Sequence, residues 1–479
     1  MSQTAGYGAA MIATKMSQIG QVLIGSKSLY QLRGFQAVTP THEDDTVYIL
    51  PIDNNITPTW VAGAKVRFAL PKTSTLIGRC WLEIALSAGS AAVPAAYTPG
   101  VPFNPITGAI AVAPVGTPNA AYCKNFGDLI VEQDTLRYGS NVLQQYNTEF
   151  QCMLRRLAKN DINIEDVNSN VFGALPPGGA AELVLADAFY QGVTVRRPLD
   201  ELFWASSKDE FWMPESLALE GELICQLRGP GEVIYTYNQA QPAGVPTITN
   251  VLLRYQEITL SAAEKENRLK LYKSPEGAVI HFLDVEQQVG FTFTGSASAQ
   301  TINVPLSNFR MDMAEIVFMV RLLTNTVTTA QTPGYRVPVA NVNGELQLWS
   351  GSRMESLATP SLVTGASVAC IVPITQFKLS AAGKDIYVYQ PEFYNRSYVR
   401  KNYHPDSQIA DGIYIISFAA FPEDRKNATG HQSASVLGQL NLAIEMPASS
   451  TNQTYQVDVY SHSHNLMQSR AGGIAKALH

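Results

Sequence analysis

Charge is scarce in this chain of 479 residues: Asp, Glu, Lys and Arg together make up 15% of it, against about 25% in an ordinary soluble domain. So few charges leave less surface that must face water, which suits a subunit whose flanks are covered by neighbours. The net charge is −6 and no cluster of five or more Lys/Arg occurs. Non-specific nucleic-acid binding runs on neutralised phosphates, so the chain is a poor candidate to coat a genome and direct nucleic-acid contact is not expected. Cysteine is also sparse. Cys80, Cys123, Cys152, Cys225 and Cys370 are scattered without a CxxC pair, and their odd number argues against a disulfide framework. Free thiols of a reducing compartment are the reading. There is no run of 18 or more apolar residues to cross a membrane as a helix, and the N-terminus lacks the pattern of a signal peptide. No GxGxxG or P-loop occurs, and no Ser/His/Asp or paired-Glu arrangement is identifiable. Catalysis and a cofactor are not expected.

What is present is apolar residue, 46% of the chain. The length exceeds the ~250–300 residues at which one core stops growing, so two domains are expected. The first 25 residues stand apart: Ile12, Met16, Ile19 and Leu23 fall at i, i+4, i+7 and i+11, a helical stripe, and only Lys15 is charged. This reads as an amphipathic arm that docks on something.

From about residue 45 the period becomes two. Cys80, Leu82, Ile84 and Leu86 share one face of a strand at 79–86, with Arg79 and Glu83 on the other. Further half-buried strands are expected at 440–444 and 455–459, and a fully buried one from Ile316 to Leu323. Many short strands with Gly/Pro/Asn punctuation indicate sandwiches or barrels. Two helices are predicted. One carries the stripe Phe150, Met153, Leu154 and Leu157, with Asn147 as its N-cap. The other opens at Ser261-Ala262-Ala263-Glu264, the spacing of a capping box, and runs to about Tyr272 as the mid-chain linker.

The order of elements repeats. In each half a strand (79–86, 316–323) leads into a long loop and then a hairpin with a glycine, Gly139 or Gly383. Each half closes on two strands around a loop: 222–228 with 251–260, then 440–445 with 455–460. Two similar β-sandwiches in tandem is the architecture this implies.

Several segments then resemble a known family, the major capsid proteins of nucleocytoplasmic large DNA viruses. The stretch NFGDLIVEQDTLRYGSNVLQQYNTEF (125–150) is similar to its strand-hairpin-helix unit, and LFWASSKDEFWMPESLALEGELICQL (202–227) to its Phe/Trp-rich segment. NVLLRYQEITLSAAEKENRL (250–269) resembles the strand and helix that end its first roll. In the second half, TINVPLSNFRMDMAEIVFMVRL (301–322) resembles a strand with Glu315 and Ile316 in place. The segment 387–424 resembles the Tyr-Phe…Gly-Ile-Tyr…Ser-Phe…Pro-Glu order, and NLMQSRAGGIAKAL (465–478) the closing Gly-Gly tail. Departures mark a divergent member: Met311-Asp312-Met313 stands where the family has His-Pro. Ala428-Thr429-Gly430 and Ser433-Ala434-Ser435 stand for its Pro-Ser-Gly…Asn-Phe-Ser-Arg run.

The resemblance implies an all-β fold of two tandem eight-stranded jelly-roll β-sandwiches with a few short helices. The expected division is an arm (1–25), a first roll (26–260), a linker helix (261–274), a second roll (275–466) and a tail (467–479), with Gly472-Gly473 flexible. It implies a homotrimer whose six lobes form a pseudo-hexagon that tiles an icosahedral shell. The partners would be neighbouring capsomers and minor capsid and penton proteins, with contact to an internal membrane left open. The place would be the virion capsid, assembled in the host cytoplasm. Two alternatives stay open: a transient membrane-shaping scaffold of the same fold, and a secreted carbohydrate-binding or adhesive β-sandwich.

Two side-chain patterns need weighing. His462 and His464, two apart on a strand end, would share a face and could hold a metal. With no third ligand evident they are read as surface histidines, and no metal is expected. The sequons at Asn55, Asn395, Asn427 and Asn452 are chance matches in a non-secreted protein, although viruses of the resembled class keep glycosylation open. The loops 87–121 and 324–368 are expected to project from the same end of their rolls and to form the outer surface. The first holds six prolines and four glycines and no charged residue.

Overall fold

Alternating burial builds the strands. In Leu76–Leu86 the side chains of Cys80, Leu82, Ile84 and Leu86 are buried and Arg79 is exposed, so a period of two turns one face to a core. The computed structural model describes residues 42–44, 47–72, 76–90, 120–122, 126–157, 188–204, 212–236, 244–275, 277–322, 374–389, 413–422, 429–448, 454–470 and 473–476. Its first half runs through β1 (His42–Asp44), β2 (Tyr48–Ile49), β3 (Lys65–Ala69), β4 (Leu76–Leu86), β5 (Ala120–Tyr122), β6 (Val131–Tyr138), β7 (Asn141–Asn147), β8 (Val193–Pro198), β9 (Gly221–Leu227), β10 (Ile234–Thr236) and β11 (Ile248–Thr259). The second half continues with β12 (Ala278–Thr294), β13 (Gln300–Pro305), β14 (Asp312–Leu322), β15 (Gln376–Ala381), β16 (Lys384–Tyr389), β17 (Ile413–Ser417), β18 (Gln432–Ser433), β19 (Leu440–Met446), β20 (Thr454–Arg470) and β21 (Gly473–Lys476).

Four antiparallel sheets carry the fold. In the first half they read β1-β11-β4-β8, with β2 also on β11, and β3-β9-β6-β7; in the second, β12-β20-β14-β17 and β13-β19-β15-β16. The short pair β5–β10 stands beside them. Counting β1 and β2 as one interrupted strand, each half has eight principal strands. In both halves the first, eighth, third and sixth form one sheet, and the second, seventh, fourth and fifth the other. This is the jelly roll, twice. The duplication expected from order alone is thus an identity of topology.

Gly139 is the first of the two turn residues of hairpin β6–β7 and Gly383 the second in the equivalent hairpin β15–β16, with φ of +59° and +78°. Only glycine adopts that region freely. The buried strand is β14, where Ile316, Val317, Phe318, Met319 and Val320 are all in the core. Among the described residues two helices exceed two turns. The first, α1 (Thr148–Leu157), begins directly after Asn147, which is the last residue of β7. The second, α2 (Ala262–Lys273), joins the rolls. Ser261 caps it by accepting from Glu264 N at 3.3 Å, while the Glu264 carboxylate takes Arg268 at 3.2 Å.

The end of the chain differs from its reading as a tail. Strand β20 continues to Arg470, and β21 turns back to pair with it from Met467 to Arg470. Lys476 reaches the buried Asp284 and anchors the turn. The local cause is apolar and amide content, Asn465-Leu466-Met467, which the neighbouring β12 can pair.

The bases of the first long loop are described although residues 91–119 and 323–373 lie outside the described residues. Ser87 meets Thr247 at 3.1 Å, Gly89 N donates to Phe189 O at 2.7 Å, and Ser90 and Gly244 exchange backbone bonds. Each long loop leaves the third strand of its roll and returns to the fourth.

Candidate functional site, the seam between the rolls

A jelly roll buries its own core, so what a two-roll chain adds is the relation between its lobes. The described seam is made by α1, residues 197–204 and 212–228, α2, β12 and β20. Helix α1 packs on the first roll, where Glu149 and Gln151 reach Arg228 and Arg197, but it sends Phe150 and Met153 into the second roll's core, and both are fully buried there. Phe150 stacks on Tyr460 of β20 with ring centroids 5.1 Å apart, and stands edge-on to His462 at 5.6 Å. In the other direction, Ile280 and Phe282 of β12 and Met467 of β20 join the first roll's core. Phe203 contacts Trp212 at 5.0 Å and Phe282 at 6.0 Å, and Trp212 contacts Tyr272 of α2 at 5.6 Å. The Phe/Trp-rich segment is therefore a hub that ties linker helix and both rolls. Aromatic pairs of this geometry add to their area burial.

Charges in the seam are buried and paired. Arg228 donates to Glu149 at 2.9 Å, and Glu149 also accepts from the Tyr460 hydroxyl at 3.3 Å. Arg197, fully buried, binds Asp134 and Gln151 and lies 3.7 Å from Asp128. Burial works against its charge, but Asp134 alongside outweighs it and holds the guanidinium above its ordinary range. The same burial, reinforced by Asp134, pushes the Tyr146 hydroxyl and the Cys225 thiol well up. Burial likewise pushes the Cys80 thiol up to about 12. Both cysteines are free, buried and inert as nucleophiles. Glu286 accepts from Arg310 N at 2.8 Å and Met311 N at 3.0 Å. It thereby pins the turn at Arg310-Met311 that leads into β14. Burial raises its carboxyl above the usual range against those two bonds.

The structure corrects the reading of the two histidines. His462 and His464 are each 2% exposed, in the middle of β20 and not on a surface strand end. His462 Nδ1 is 3.5 Å from Glu315 of β14, and Nε2 is 4.0 Å from Glu201 of the first roll. His464 lies 6.3 Å from the His431 ring. A strand pattern can tell which residues share a face, but not that a second roll covers that face. Among the described residues no group of three His, Cys, Asp or Glu is placed to hold a metal, and no described helix is long and apolar enough to cross a membrane.

Of the sequons, Asn55 is exposed in the turn between β2 and β3, whereas Asn395, Asn427 and Asn452 lie outside the described residues. So does the arm stripe Ile12, Met16, Ile19 and Leu23. Sequence reasoning named Phe150 and Met153 but missed the buried Arg197, Arg228 and Glu149. A charged residue amid apolar neighbours, as in Val195-Arg196-Arg197-Pro198-Leu199, was the available signal.

No family model and no curated protein sequence matches the chain. Solved structures do. VP54 of PBCV-1 superposes with a TM-score of 0.61 at 14% identity, covering 92% of this chain and 97% of that one. The Faustovirus major capsid protein gives a TM-score of 0.62 at 12% identity, covering 89% and 90%. A PBCV-1 virus capsid chain gives 0.59 at 14%, covering 92% and 97%. With both rolls and their order matched over almost the whole length, this chain has the double jelly-roll fold of large-DNA-virus major capsid proteins, in a divergent sequence.

Proposed function

We propose that the chain is a structural shell subunit of a virion capsid and not an enzyme. Three copies form a closed ring with two rolls each, a pseudo-hexagonal capsomer that tiles an icosahedral facet. One observation carries this reading: two rolls of identical strand order, locked by a buried seam, give a single chain two similar lobes in a fixed relation. The low charge content fits flanks covered by core-like interfaces, and a ring of three uses heterologous contacts. The trimer is obligate in this reading. The ring neighbours other capsomers and minor capsid and penton proteins, and assembly takes place in the host cytoplasm.

Negative-stain microscopy and sedimentation of the purified protein test it. Pseudo-hexagonal particles with the mass of three chains are expected. Elongated monomers, stable at micromolar concentration, would overturn the reading.

A further inference from the structure

Eleven large apolar side chains are markedly exposed among the described residues, and five of them fall between the start of β2 and the start of β3. They are Tyr48 at 56%, Leu50 at 42%, Ile52 at 43%, Ile56 at 37% and Val61 at 49%. Their backbone is fixed. Ile52 N donates to Arg67 O at 2.8 Å, Asn54 N to Pro51 O at 2.8 Å, and Gly63 N to Leu227 O at 2.9 Å. The buried Trp60 indole donates to Arg228 O at 2.7 Å. An ordered segment that holds five apolar side chains in water is a contact surface awaiting its cover. Asp53 is the only charged residue from Val47 to Ala64.

The chain itself holds a segment of matching chemistry. Residues 1–25 carry the stripe Ile12, Met16, Ile19 and Leu23 and one charge, Lys15. The described chain enters at His42 in β1, on the sheet edge that β2 continues, since both pair with β11. The patch opens six residues later at Tyr48. Eighteen residues lie between Leu23 and His42, a length whose root-mean-square span as an unstructured chain would be roughly 20–25 Å. That tether keeps the stripe beside the patch at an effective concentration in the millimolar range.

We infer that the stripe docks in cis on the apolar segment around Ile52 and Ile56, with Lys15 against Asp53. The surface thus belongs to the chain's own N-terminal arm. The inference does not depend on the capsid reading, because it concerns contacts within one chain.

Photo-crosslinking tests it on the full-length protein, with benzoylphenylalanine in place of Ile19 and the linked peptides mapped by mass spectrometry. Intrachain links to residues 48–61 are expected, in a yield independent of protein concentration. The variant Ile52→Asp/Ile56→Asp, at exposed positions that leave the cores intact, should cut that yield at least tenfold while its thermal melt stays cooperative. Asp53→Lys should lower it several-fold and Lys15→Glu added to it should restore it. Links between chains, links elsewhere, no links, or a yield unchanged in the double variant would each overturn the assignment.

Discussion

Phe150 and Tyr460 lie face to face, 5.1 Å between ring centroids and 26° between planes, although they come from opposite halves of the chain. One ring stands on a helix of the first roll, the other on the central strand of the second. Truncating the former leaves a cavity that neither roll can close alone. Phe150→Ala is expected to cost about 3–5 kcal/mol, and Phe150→Leu distinctly less. Urea unfolding followed by fluorescence and circular dichroism checks it. Coincident transitions, both shifted, are expected; a shift in one roll alone would contradict a shared seam.

The pair Glu149–Arg228 sits beside this stack at 2.9 Å, with 6% and 4% of the respective side chains exposed. Neutralising Glu149 removes the nearer carboxylate of the buried Arg228 and leaves it Glu232 at 3.8 Å, a half-exposed partner. Glu149→Gln is expected to cost about 3–5 kcal/mol. Tyr460→Phe removes only the hydroxyl bond and should cost about 0.5–1.5 kcal/mol. Because both groups meet at one carboxylate, the double variant should fall short of additive.

Acid should weaken the first roll at two defined places. Glu83 is held below the usual carboxylate range, first by the Arg254 bond and then by Arg196, against opposing burial. At Glu222 burial opposes ionisation but is outweighed by Arg67 and Arg137. A depressed carboxyl contributes stability above its unfolded value, about 4.3, and that contribution is lost as pH falls through the folded value. Melting temperatures from pH 7 to pH 3 should therefore show a gap between wild type and Glu83→Gln/Glu222→Gln that closes on the acid side.

The two hairpin glycines should respond unequally. Gly383→Ala meets no atom within 4 Å, so its cost is the left-handed backbone alone, about 1–2 kcal/mol. At Gly139 a Cβ would stand 3.2 Å from Leu219 as well. Gly139→Val should thus lose more than Gly383→Val, as measured by thermal melts.

On intact particles the two loops, 87–121 and 324–368, should be cut first by mild protease and footprinted first by antibodies. Cleavage confined to residues 1–25, with both loops protected, would reverse inside and outside.

Topology was legible because it rests on local signs. The alternation in 79–86, the capping box at Ser261 and the turns at Gly139 and Gly383 each declare themselves within ten residues. The seam was not. Tyr455-Gln456-Val457-Asp458-Val459 shows a strand with one polar face, and Ser461-His462-Ser463-His464-Asn465 looks like its solvated continuation. His462 is covered by Glu201 and Phe150 of the first roll, while Ser463 and Asn465 bond Glu286 and Asp284 of β12, and no local period encodes partners so far away in the chain. Phe150 and Met153 were seen as a stripe, but a stripe does not say which core it enters. The end of the chain misled for a related reason: its continuation as β20 to Arg470 depends on the partner strand β12, which pairs it through Ser469.

That borrowed helix also sets a schedule for synthesis. Tyr460 lies 311 residues beyond Glu149. At translation rates of about 5–20 residues per second, the first roll leaves the ribosome with the apolar side of Phe150 and Met153 bare for roughly 15–60 s. The cell must shelter that face until β20 emerges. Apolar surface left bare for that interval is aggregation-prone, so slower synthesis of the second roll should lower the soluble yield.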